Sequence, residues 1–224
     1  ADITDLSVAI NEIVNEHLQI DTTIVAEPGV SRRFDISGIN FDILRREFAK
    51  SKEKNLILKD IQELLQERIA QMLSQNPRRV NFYEKYQEII HEYNQEQNQV
   101  NIEQTFEELM QLSTQLTEEE KRYVREGFEN DEQLSMYDLL MKDNLSKEDI
   151  KKLKKVAVDL LAKIKDLIKT MDHPFDKRET KATIIIAIRD TLWSELPESY
   201  SDESINYYRD AVYNYVSQRY GMMA

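Results

Sequence analysis

Apolar residues recur at three- and four-residue steps along almost the whole chain. Ile3, Leu6, Ile10, Ile13, Val14 and Leu18 open the pattern, and positions at this spacing share one face of an α-helix. The period lapses over residues 21–40, DTTIVAEPGVSRRFDISGIN, which hold two of the four glycines and one of the four prolines. This stretch reads as an irregular linker with room for a short extended piece. Asn40 is placed to cap a helix carrying Phe41, Leu44 and Phe48. After the charged SKEK a longer stripe follows, Leu58, Ile61, Leu65, Ile69, Met72 and Leu73. Asn76-Pro77 ends it, because the residue before a proline is driven out of the helical region.

Asn81 is the expected start of the next helix, with Phe82, Tyr86, Ile89, Ile90 and Tyr93 inward, and polar residues 94–99 close it. Ile102, Phe106, Leu109, Met110 and Leu112 mark another. Thr117 followed by Glu120 reads as a capping box that starts a helix running from about 118 to Gly127. Asp131 begins a helix with Leu134, Tyr137, Asp138 and Leu140, and Ser146 with Asp149 offers a second capping box before a Lys-rich helix reaching about Thr170. His173-Pro174 interrupts the chain there. Residues 183–188, TIIIAI, have high strand propensity, but no Gly or Pro falls between Lys177 and Leu196, and Ile185, Ile188 and Leu192 continue a helical face. Length decides for a buried helix. Pro197 stops it, and Ser201 caps a last helix with Ile205, Tyr208, Val212, Tyr215 and Val216 on one side.

These periods predict an all-α fold, an irregular multi-helix array of roughly eight to ten helices with no substantial sheet. Residues 1–39 form an N-terminal helix and linker, and residues 40–224 a helical C-terminal domain. Composition agrees: glycine and proline number four each among 224 residues, too few for the turns of a sheet-rich fold, while 41% hydrophobic and 32% charged residues suit amphipathic helices. Cysteine is absent, which removes disulfides, thiolate metal sites and a cysteine nucleophile. No apolar run approaches the roughly 20 residues of a membrane span, and the start ADITDLSVAI lacks the basic and greasy segments of a signal peptide. A cytoplasmic protein is expected. The chain begins at Ala1 with a helix already under way, which suggests a piece of something longer.

The formal charge of −12 works against the whole surface binding a polyanion. Charge is nevertheless segregated. Residues 147–181 hold eleven Lys or Arg against seven Asp or Glu. Within them Lys151, Lys152, Lys154, Lys155, Lys163, Lys165, Lys169, Lys177, Arg178 and Lys181 line either a patch for a DNA backbone or acidic partner, or a solvated helix face with pairs such as Lys155 with Asp159. Six of the eleven tyrosines lie between residues 200 and 220. Tyr208 and Tyr215 belong to the inward stripe. Tyr213 and Tyr220 fall on another face, where they serve equally as partner-docking residues or as contacts to a second layer of the same domain.

Catalytic chemistry finds little support in the motifs. His17, His91 and His173 are too scattered for a ligand motif, and His173 suits a helix end better than a metal. No phosphate-cradling glycine loop and no nucleophile elbow are present. Glu118, Glu119 and Glu120 read as the first turn of a helix, where the dipole stabilises acids, and Glu129, Asp131 and Glu132 as similar loop and N-terminal acids. A cryptic carboxylate metal site would need several of them to converge.

Asn76-Pro77 with Arg79 and Phe82, Ile89-Ile90 and Tyr93-Asn94, Leu134 through Asp138-Leu139-Leu140, and Leu196-Pro197 with Tyr200 stand together in order and spacing. In this the chain resembles the C-terminal helical region of the restriction (R) subunit of type I restriction–modification enzymes, over residues 33–220. It departs from the pattern where relatives tend to carry a tryptophan: Phe175 stands there, and the lone tryptophan is Trp193. The resemblance implies a parent that is an ATP-dependent type I site-specific deoxyribonuclease, with ATP and Mg2+ used in nuclease and helicase-like domains that precede this region. For this chain it implies a non-catalytic assembly domain with no cofactor of its own. That domain would dock the subunit onto the modification and specificity subunits of the methyltransferase core. The alternative is a DNA-contacting module using residues 147–181.

Overall fold

A computed structural model describes residues 41–95 and 99–221. Its helices are α1 (Phe41–Lys50), α2 (Lys54–Gln75), α3 (Val80–Gln95), α4 (Gln99–Glu120), α5 (Arg122–Glu126), α6 (Asp131–Leu140), α7 (Lys147–Lys169), α8 (Arg178–Glu195) and α9 (Asp202–Gly221). There is no strand among the described residues, so the all-α expectation holds. The opening helix, the linker and the cap at Asn40 lie outside the described residues. The chain groups into two compact units that divide between Lys121 and Arg122, a point the sequence periods cross without a break.

In the first unit α2, α3 and α4 pack pairwise, and α1 adds Leu44 and Phe48 to their core. The predicted stripe of α2 is buried from Leu58 to Leu73. Asn76 then turns extended and its side chain accepts a hydrogen bond from the Arg78 N–H at 3.1 Å, which starts a short 3-10 turn, Pro77–Arg79. That turn leads straight into α3, so α3 begins at Val80, one residue before the expected Asn81. Tyr86, Ile89 and Tyr93 are buried on α3, with Phe82 and Ile90 half-buried beside them. The rings of Phe48 and Phe106 stack with centroids 3.9 Å apart and planes 7° from parallel.

One helix boundary differs from the predicted one. Thr117 and Glu120 do not start a helix, because α4 runs unbroken to Glu120. The Thr117 hydroxyl donates to the Ser113 carbonyl one turn back at 3.0 Å and accepts from Arg68 Nη2 on α2 at 2.9 Å. The expected stop at Gly127 is correct. Gly127 has φ +82°, and bonds from its N–H to the Val124 carbonyl at 3.1 Å and from Phe128 N–H to Tyr123 at 2.8 Å close α5. This two-bond ending requires a left-handed residue, which glycine adopts without a Cβ penalty.

The second unit is a ring in which α6 packs on α7, α7 on α8, α8 on α9 and α9 back on α6. Helix α6 is buried at every position from Leu134 to Leu140, so it carries no solvent face. The Ser146 capping box forms as expected: its hydroxyl accepts from Asp149 N–H at 3.0 Å, and the Asp149 carboxylate accepts from Ser146 N–H at 3.4 Å. TIIIAI is helical within α8, but the inward positions are Ile184, Ile188 and Leu192. Ile185 is only half-buried, since the true stripe advances in steps of four from a residue earlier. On α9 all five predicted inward residues are buried, and Ser201 accepts from the Ser204 N–H at 3.3 Å.

The Tyr200 hydroxyl donates to the Leu140 carbonyl at 2.6 Å in a buried position and so satisfies an orphan acceptor at the end of α6. Burial is the main cause that drives its pKa well above the ordinary tyrosine value, so it stays a donor. Tyr200→Phe strands that carbonyl and is expected to cost about 1–2 kcal/mol in a urea titration. A change within experimental error would mean that the bond contributes nothing.

Candidate functional site

The capping box at Ser146 starts α7 in a fixed register, and its apolar stripe from Leu153 to Ile164 turns inward. The lysines must then occupy the flanks and outer face. Six of the ten candidate cations meet partners in the same unit. Lys152 donates to the Leu196 carbonyl at 3.2 Å. Lys154 donates to the carbonyl and carboxylate of Glu126, both at 2.8 Å, and lies over the rings of Phe128 and Tyr137. Lys163 pairs with Glu195 and Lys165 with Glu132. Lys169 pairs with Asp166 at 3.3 Å, and Lys177 with Asp172 at 3.2 Å. The remaining four, Lys151, Lys155, Arg178 and Lys181, are exposed and form no ion pair among the described residues, so the expected pair of Lys155 with Asp159 is not made.

The two candidate docking tyrosines are both half-buried and both pack against the core of their own unit. Tyr220 donates its hydroxyl to Glu132 Oε1 at 2.6 Å. The same carboxylate receives Arg219 Nε at 2.8 Å and the Lys165 ammonium. Burial by itself would raise the Glu132 pKa. The hydrogen bonds from Lys165, Tyr220 and Arg219 outweigh it, and the carboxyl lies below the ordinary glutamate value. Glu132 therefore acts as an anionic clasp that fixes the end of α9 to α6 and α7.

The acids at 118–120 also lie elsewhere than expected. They occupy the last turn of α4, the negative end of the helix dipole, where acids are disfavoured. Arginines from α2 and the Pro77–Arg79 turn offset this: Arg68 binds Glu120 through two nitrogens at 2.8 and 2.7 Å, and the buried Arg79 binds Glu119 at 2.9 Å. Near the chain's middle, Arg122 pairs with Asp138. His173 lies in the loop after α7 with φ +53°, within 3.6 Å of Asp172 and 3.5 Å of Asp176, rather than at the helix end itself. Among the described residues no group of three or more His, Asp or Glu is arranged to hold a metal ion, and no helix is long and apolar enough to cross a membrane.

The exposed apolar side chains point to a different surface. Helix α8 is the one helix among the described residues that carries two large ones, Ile186 at 48% and Trp193 at 60% exposure. They sit seven residues apart, two turns along one face, opposite the inward stripe of Ile184, Ile188 and Leu192. Arg189 and Asp190, paired at 2.7 Å, lie between them.

Compared with known protein families, residues 1–213 match the one described as type I restriction enzyme HindI endonuclease subunit-like, C-terminal. The chain belongs to this family. Comparison with curated proteins and with solved structures finds no match for it. The family match begins at residue 1, whereas the resemblance read from the sequence begins at residue 33. In this type I restriction subunit domain Phe175, the residue that departs from the expected tryptophan, is buried in the core of the second unit and packs on α9, where a Cβ at Gly221 would lie 3.7 Å from its ring. Trp193 instead faces solvent. Sequence reasoning names it only as the lone tryptophan, because its outward position follows from the register of α8, which the choice of Ile185 misplaces.

Proposed function

We propose that this domain is a non-catalytic assembly module that fastens a type I restriction endonuclease subunit to the modification and specificity subunits of the methyltransferase core. Family membership over residues 1–213 carries this reading. The side chains support it. The acids that motif reasoning considers for metal chemistry include Glu119, Glu120 and Glu132, and each of these is tied to arginine or lysine in a contact that joins helices. ATP and Mg2+ chemistry then belongs to other parts of the parent chain, and the assembled complex works in the cytoplasm on DNA. Protein docking is favoured over the DNA-contacting alternative because six of the ten cations in the 147–181 stretch are already engaged by carboxylates or carbonyls of their own unit. DNA affinity rests on phosphate neutralisation by free cations.

A pull-down of this chain with purified methyltransferase complex is expected to retain it. If circular dichroism shows the helices folded and no complex forms, the proposal fails. In parallel, binding to duplex DNA that weakens steeply between 50 and 200 mM salt and is lost on charge reversal of Lys151 and Lys155 would favour the DNA reading instead.

A further inference from the structure

We draw no further inference here: the strongest candidate, the exposed apolar patch of Ile186 and Trp193 on the outer face of α8, carries none because nothing in the structure shows what covers it.

Discussion

Replacing Phe106 by alanine is expected to lower stability by about 3–5 kcal/mol in urea-induced unfolding followed by far-ultraviolet circular dichroism. The ring is almost wholly buried and stacks face on with Phe48 at 3.9 Å, so its removal forfeits its own burial and leaves one face of Phe48 against a void. Phe48 and Leu44 place α1, the first helix described, in the core of α2, α3 and α4. The double variant Phe48→Ala with Phe106→Ala should therefore lose less than the sum of the two single losses, because the second truncation removes a contact that the first has already broken. A loss below about 1 kcal/mol for Phe106→Ala would show that the site collapses freely and that the stack is not what holds α1.

The second large effect centres on Glu132. This carboxylate gathers the Lys165 ammonium, the Arg219 guanidinium and the Tyr220 hydroxyl from two other helices while largely buried. Removing it leaves two cations facing each other without their shared anion, so Glu132→Ala is expected to cost roughly 2–3 kcal/mol near neutral pH. The pH dependence has a defined sign. The folded-state pKa of Glu132 lies below its ordinary value of 4.5, so the unfolded chain takes up the proton first. The stabilisation from the clasp is complete above the ordinary glutamate range and is lost as pH falls through the lower folded value. The stability difference between the unmodified chain and Glu132→Gln should accordingly be largest at pH 7 and shrink on the acid side. A difference that stays constant from pH 7 to the acid limit would mean that the charge of Glu132 is not what matters.

Much of the fold is legible in the residue pattern because helix burial follows local periodicity. The stripes of α2 and α9 are read correctly down to individual residues, and the Ser146 capping box that starts α7 is formed as expected. Thr117 and Glu120 show the same short pattern and do something else. Ser146 follows a break in the chain and its hydroxyl is free to satisfy Asp149, whereas Thr117 lies within a helix already under way and its hydroxyl is claimed by Ser113 and by Arg68, 49 residues earlier. No window around Thr117 contains Arg68. The same limit applies to the acids that follow. Read locally, Glu118 to Glu120 begin a helix and need no partner; in the fold they end one, and arginines distant in sequence hold Glu119 and Glu120.

The candidate surfaces divide along the same line. Residue order alone identifies an all-helical chain, most of its inward faces, the basic character of residues 147–181 and the resemblance that the family match bears out. Those properties depend on spacing within a few turns, and spacing is written in the sequence. Which cations are neutralised, that Tyr220 is tied to Glu132, and that Trp193 rather than Tyr213 or Tyr220 is the more exposed aromatic, only the tertiary structure decides. Each depends on which side chains from distant helices arrive at the same place. Packing sets that, and a single helix's periodicity carries no record of it.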